Sequence, residues 1–195
     1  MTKSELRKLV KNKISLMTLD EKFKASVECS EILIQKREFQ EADIVLSYMA
    51  TENELNPMYV SIKTLMLKKT LAFPRCVPDS NRMEFYALKE SLTIEDQVEK
   101  GAWGIMEPKT FLPQIHGEDL AGKKVLAIVP GVAFSSNGAR LGHGAGFYDA
   151  YLSRLRKIEE IDLHTVGMCF SCQLVDDIPQ EEHDIKIDSV IYSIL

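Results

Sequence analysis

The chain has 195 residues, of which 45% are hydrophobic and 27% charged, and its net charge is −5. This composition excludes wholesale disorder, and the acidic balance argues against a generic nucleic-acid coat. No apolar run approaches a bilayer span, and the basic opening MTKSELRKLVKNK leads into no apolar secretory core, so neither nucleic acid nor membrane is an expected partner.

The length fits a single domain over residues 1–195. Thr2-Lys3-Ser4-Glu5 and Thr18-Leu19-Asp20-Glu21 are capping-box patterns. They predict helices from Lys3 to Ile14 and from Leu19 to Arg37, with Phe23, Val27 and Ile34 as the core-facing stripe of the second. Asp43 to Ala50 is an apolar, partly β-branched run and reads as a buried strand. Asn56-Pro57 opens another helix, with Asn as cap. Thr70–Arg75 and Met83–Leu88 read as strands, with Asp79-Ser80-Asn81 as the turn between them. Residues 91–122 are rich in turn formers and carry no clear element. Val125–Val129 is the clearest buried strand; a loop, a glycine cluster and a helix from Gly146 to Ile158 follow. Thr165–Cys169 and Ser189–Ile194 read as the last strands. Strands separated by helices predict an α/β fold, a three-layer sandwich around a mostly parallel sheet. Ligands of such sheets bind beyond the carboxyl ends of the strands.

The glycine cluster lies on that edge, in the segment Arg140-Leu141-Gly142-His143-Gly144-Ala145-Gly146-Phe147-Tyr148-Asp149. Alternate glycines let a backbone approach a ligand closely, and the free N–H groups of the helix that follows suit an anion. Arg140 offers a forked cation and Asp149 an oxygen ligand for Mg²⁺. The competing reading is a glycine-rich turn that serves backbone geometry alone. The cluster lacks the G-x-G-x-x-G spacing of a dinucleotide fingerprint. Gly117 to Lys124 matches G-x-x-x-x-G-K, but Lys124 replaces the Mg²⁺-binding hydroxyl and the match precedes a strand, so it reads as a solvated turn.

The other candidates are weaker. Cys169-Phe170-Ser171-Cys172 has no second pair at zinc-site spacing and reads as two ordinary apolar cysteines. Cys29 and Cys76 complete a set too irregular for a disulfide framework, which points to reduced thiols and a cytoplasmic location. The four histidines show no metal-ligand spacing; His143 lies in the glycine loop, whereas His164 reads as structural. Ser135 and Ser136 lack a nucleophile elbow. Lys3 and Arg7 share one face of the first helix, either as a solvated basic face or as an anion clamp. Glu52 and Glu54 follow the first strand, where ligand-binding loops lie.

Pro130 to Phe134 followed by Gly138 to Asp149 resembles the signature of the 5-formyltetrahydrofolate cyclo-ligase family, also called methenyltetrahydrofolate synthetase. The likeness extends to the basic opening Lys3-Ser4-Glu5-Leu6-Arg7, to Ser47-Tyr48-Met49 through Asn53-Glu54-Leu55, to Trp103–Pro108 as a G-I-x-E-P segment, and to the closing His183–Asp188. It implies a fold of the NagB/ribose-5-phosphate isomerase/CoA-transferase group. It also implies a reaction in which 5-formyltetrahydrofolate and ATP, with Mg²⁺, give 5,10-methenyltetrahydrofolate, ADP and phosphate. The γ-phosphoryl would pass to the formyl oxygen, and N10 would then close the ring without any enzyme nucleophile. By the same resemblance, Arg140, Lys3 and Arg7 would carry the phosphoryl charge. Lys3, Ser4, Glu5, Leu6 and Arg7, with Arg140, Leu141, Gly142, His143, Gly144, Ala145, Gly146, Phe147 and Tyr148, would hold ATP. Met49 and Glu54 would contact folate, residues His143 to Phe147 would line both ligands, and Asp149 and Asp188 would hold Mg²⁺. Two positions depart from the family: Ala145 stands where many relatives carry Lys or Gly, and Phe147 replaces the first tyrosine of the usual Tyr-Tyr-Asp. The expected assembly is a monomer or weak homodimer. Rival readings are a sugar-phosphate isomerase with Glu54 as base, and a folate- or nucleotide-binding protein without turnover.

Overall fold

The computed structural model describes all residues except Asp79, Asn81, Ala102, Trp103, Glu159 and Leu195. The expected turn at 79–81 and the Trp103 end of the G-I-x-E-P-like segment therefore fall partly outside the described residues.

Both capping boxes form. The Thr2 hydroxyl accepts from the Glu5 amide at 3.2 Å while Glu5 accepts from the Thr2 amide at 2.7 Å, and this starts α1 (Lys3–Ser15). Thr18 and Glu21 do the same for α2 (Leu19–Gln35). α1 buries Leu6, Val10 and Ile14, one residue per turn. On α2 the expected stripe needs correction. Phe23 is 69% exposed, and the buried ridge runs through Ala25, Cys29 and Leu33, with Ile34 beside it. Ala25, which opens that ridge, lies two residues, or about 200°, around the helix from Phe23. The small Ala25, Ser26, Cys29 and Ser30 let the helix pack closely. α2 also ends earlier than expected: extended Lys36 separates it from a short α3 (Arg37–Glu41).

The sheet has seven strands in the order β11-β10-β7-β1-β2-β3-β6. They are β1 (Ile44–Leu46), β2 (Thr70–Cys76), β3 (Met83–Ala87), β6 (Gln114–Ile115), β7 (Lys124–Ile128), β10 (Asp162–Cys169) and β11 (Ser189–Tyr192). The first five in that order are parallel neighbours, and β3 and β6 are antiparallel additions at one edge. Strand side chains alternate between faces, which sorts the core into two layers. Val45, Leu126, Ile128, Val166 and Met168 pack under α1, α2 and α4 (Met58–Met66). Ile44, Leu46, Val125, Ala127 and Val129 pack under α7 (Phe147–Leu155) on the opposite face. The expected helix–sheet–helix sandwich is therefore present.

β1 is shorter than the run Asp43–Ala50 that predicted it. After the Ser47 amide bonds the Ala72 carbonyl, the chain peels off, and the Tyr48 hydroxyl closes the new loop on the Leu55 carbonyl at 2.6 Å. Residues 91–122 contain α5 (Ile94–Gln97), a hairpin of β4 (Val98–Lys100) and β5 (Met106–Pro108), β6, and α6 (Gly117–Leu120). The segment after β7 holds a second hairpin, β8 (Ala133–Phe134) with β9 (Arg140–Leu141). Gly138, at φ +83°, lies in its turn, and its carbonyl accepts from the Ile187 amide. No helix among the described residues is long and apolar enough to cross a membrane.

Candidate active site

The chain leaves the carboxyl ends of β1, β2 and β7 into one cleft of about 990 Å³. Tyr48 and Met49 enter it from β1, Pro74 and Cys76 from β2, and Pro130 from just beyond β7. The first turns of α1, the segment from Arg140 to Asp149, residues 179–184 and the β4–β5 hairpin complete the walls.

Arg140 leaves β9 with a side chain only 3% exposed. Its Nη2 donates to Asp149 Oδ2 at 2.7 Å and its Nη1 to the Pro130 carbonyl at 3.2 Å, while its buried Nε has no partner among the described residues. Asp149, in the first turn of α7, also accepts from the Ile185 amide at 3.0 Å. The guanidinium lies 6.0 Å over the Tyr148 ring, and the buried Tyr148 hydroxyl also lacks a partner among the described residues. Burial foremost, with the Glu54 charge behind it, keeps that phenol protonated well above its ordinary range. Two unpartnered donors in one cleft point to a ligand with acceptor atoms.

Lys3 and Arg7 both reach the cleft, so the face they share is not simply solvated. Arg7 Nε donates to the Gly142 carbonyl at 2.8 Å, tying α1 to the glycine loop. Lys3 Nζ lies 2.6 Å from Asp184 and 3.1 Å from Glu181. Burial pulls the Lys3 ammonium down, but those two acids outweigh it and raise its pKa. Burial likewise pushes the Asp184 carboxyl up, and the hydrogen bonds from Lys3 and the Glu181 amide outweigh that and hold it below its ordinary range. Glu181, His183 and Asp184 offer ligand atoms within 4.8 Å of one another, and the Lys3 ammonium sits against two of them. Within the glycine loop, Gly144 has φ +117°, a conformation L side chains rarely adopt.

Glu54 is the acid from the β1 loop that the cleft receives, whereas Glu52 stays exposed. Its Oε2 accepts from the Thr51 amide at 2.9 Å and hydroxyl at 2.8 Å, and its Oε1 lies 3.0 Å from His143 Nε2. Burial would raise its pKa; the bonds from His143 and Thr51 outweigh that and lower it.

Of the residues singled out from the sequence, Lys3, Ser4, Arg7, Met49, Glu54, Asp149 and every position from Arg140 to Tyr148 line this cleft. Glu5, Leu6 and Asp188 are not brought there. Glu5 is spent on the Thr2 cap, and Leu6 is buried in the core on the inner face of α1. Asp188 Oδ2 binds the Thr165 amide at 2.8 Å and hydroxyl at 2.6 Å where β11 begins to pair with β10. The acid of that segment that lines the cleft is Asp184, four residues earlier. Glu107, the acid of the G-I-x-E-P-like segment, also lines the cleft although no ligand role was expected of it. Its buried carboxylate accepts from the Cys76 amide at 3.3 Å. Burial, with Glu107 beside it, pushes the Cys76 thiol up to about 11. The position of Cys76 at the carboxyl end of a parallel strand was the available signal. Cys169 and Cys172 are free thiols, Cys169 fully buried at the end of β10, as expected of apolar cysteines. His164 bonds the Ser189 hydroxyl at 2.9 Å and is structural.

The sequence model of the 5-formyltetrahydrofolate cyclo-ligase family matches residues 1–193. A 5-formyltetrahydrofolate cyclo-ligase of Mus musculus is 29% identical over 192 residues, covering 97% of this chain and 93% of its own. A probable 5-formyltetrahydrofolate cyclo-ligase of Caenorhabditis elegans is 30% identical, with 97% and 92% covered. The NMR structure of Aquifex aeolicus 5,10-methenyltetrahydrofolate synthetase superposes with a TM-score of 0.76 at 29% identity, over 98% of this chain and 90% of that one. A 5,10-methenyltetrahydrofolate synthetase from Mycoplasma pneumoniae, at 18% identity and a TM-score of 0.73, shares the fold over 98% of both chains.

Proposed function

The chain belongs to the 5-formyltetrahydrofolate cyclo-ligase family, and from that membership we propose that it converts 5-formyltetrahydrofolate and ATP into 5,10-methenyltetrahydrofolate, ADP and phosphate. The observation that carries the reading is one cleft with an anion-seeking set, Arg140, Arg7, Lys3 and the glycine loop, beside the Thr51-anchored carboxylate of Glu54.

The reaction needs two bound ligands in contact and stabilised phosphoryl charge; it needs no enzyme nucleophile. The formyl oxygen takes the γ-phosphoryl group and becomes a good leaving group. N10 then attacks the formyl carbon and gives up its proton, and the oxygen departs within phosphate. Arg140, rigid between Asp149 and the Pro130 carbonyl, would set its charge beside the phosphates. Arg7 fixes the glycine loop against α1, and backbone N–H groups at the start of α7 face the same anion. Glu54 receives N–H donors of the pterin ring, and Met49 packs on its apolar face. Mg²⁺ fits the hard carboxylate donors that line the cleft, Asp149 and Asp184, and when bound there it would neutralise phosphate charge. That reading assigns Lys3 to trade its acidic partners for phosphate oxygens as the ligands enter. The core layering also supports placing the fold in the NagB/ribose-5-phosphate isomerase/CoA-transferase group, and the cysteine usage supports a cytoplasmic location.

Purified protein with 5-formyltetrahydrofolate and Mg-ATP should develop the near-ultraviolet band of the conjugated methenyl product. Omitting ATP should abolish it. A band that grows without nucleotide would overturn the assignment.

A further inference from the structure

His143 and Glu54 meet across the cleft from different loops, at 3.0 Å. Glu54 is fixed to its own loop through Oε2, which takes both hydrogen bonds from Thr51. Oε1 is the oxygen left for a ligand, and the His143 imidazole holds it. The carboxylate is only 9% exposed, whereas the imidazole is 45% exposed, with solvent on its outer side. A folate ring that brings N–H donors to Glu54 competes with His143 for that oxygen.

His143 also belongs to the loop that faces the nucleotide. Its neighbour Gly142 is held through its carbonyl by Arg7, and its other neighbour Gly144 has a positive φ, a conformation that L side chains rarely adopt. The loop is thus fastened at two points, one on the phosphate side and one on the folate side. Resting on the function proposed above, we infer that His143 is a positioning residue that couples the two sites. While it holds Glu54, the loop is drawn toward the folate pocket. When folate takes Oε1, the loop keeps its tie to Arg7 and settles on the nucleotide phosphates. Folate binding therefore favours nucleotide binding, and by linkage the reverse holds by the same factor.

The test is calorimetric titration of ADP with Mg²⁺, where no phosphoryl transfer can occur, with and without 5-formyltetrahydrofolate. For the wild type, folate should tighten ADP by about fivefold or more, the lower end of ordinary coupling between sites. His143→Ala should bring that factor to about one, because no latch remains to be released. His143→Gln, which keeps an N–H donor for Glu54, should restore most of the factor. A loss of affinity with the coupling intact in His143→Ala would make the residue a mere ligand contact and overturn the inference. So would a wild-type factor of one. Failure of the wild type to bind either ligand is a different result; it would remove the proposed function itself.

Discussion

Replacing Arg140 by Ala separates what this residue does for the fold from what it does for the ligand. The side chain is 3% exposed and bridges Asp149 and the Pro130 carbonyl at 2.7 and 3.2 Å. Removing one partner of a buried pair costs about 3–5 kcal/mol, because the other charge stays buried. Asp149 keeps the Ile185 amide and is partly exposed, so the lower end, about 3 kcal/mol, applies. For a chain of this size that corresponds to a fall in Tm of about 6–12 °C. The partner change Asp149→Asn and the double variant complete a cycle with a coupling of about 1.5–3 kcal/mol. Urea unfolding of all four proteins measures the stability terms. Steady-state assay of Arg140→Ala below its Tm should show kcat/KM reduced about tenfold to a hundredfold, from loss of one charge-assisted contact to phosphate. Stability within about 0.5 kcal/mol of wild type, or strict additivity in the cycle, would refute the buried-pair argument.

Three other outcomes follow from single positions. Gly144→Val meets Arg7 only at an ordinary 3.8 Å but must adopt φ +117°; nucleotide affinity measured by calorimetry should fall about tenfold or more, since each 1.4 kcal/mol of loop distortion is a factor of ten, and an unchanged affinity would make the loop purely structural. Gly138→Ala would put its Cβ 2.2 Å from the Ile187 carbonyl oxygen at φ +83°, so urea unfolding should show a loss of about 2 kcal/mol or more, and wild-type stability would contradict the packing there. Glu54 has a folded pKa below its ordinary 4.5, so its bonds to His143 and Thr51 stabilise fully above 4.5 and are lost as pH falls through the lower folded value. The stability gap between wild type and Glu54→Gln should be widest near neutrality and close in acid; a gap that widens on acidification would refute that sign.

Local chemistry made part of this molecule readable. Both capping boxes state their helix starts in four residues, and Val125–Val129 states its strand by burial on two faces. The glycine loop was legible because a run of Gly with Arg140 and Asp149 has few structural uses. Long-range packing hid the rest. Phe23 and Ala25 look equally placed for a core stripe, and only the close approach of α2 decides for the smaller residue. Asp184 and Asp188 are acids of one short segment. The turn that ties Asp184 to the Glu181 amide at 2.7 Å turns it to the cleft, while strand pairing draws Asp188 to Thr165. The β8–β9 hairpin carried a local turn signal, Asn137-Gly138, although its strands are only two residues long. Glu107 was legible only through the G-I-x-E-P resemblance, because the hairpin that holds it against Cys76 is defined by pairing over residues 98–108.

In the proposed reaction, the γ-phosphoryl group passes to the formyl oxygen in the cleft of Arg140 and Glu54. Incubating the protein with Mg-ATP and 5-formyltetrahydrofolate labelled with ¹⁸O in the formyl group tests this directly. The label should appear in the inorganic phosphate, one atom for each methenyl product formed. Methenyl product formed while the label passes to water, with phosphate unlabelled, would contradict it.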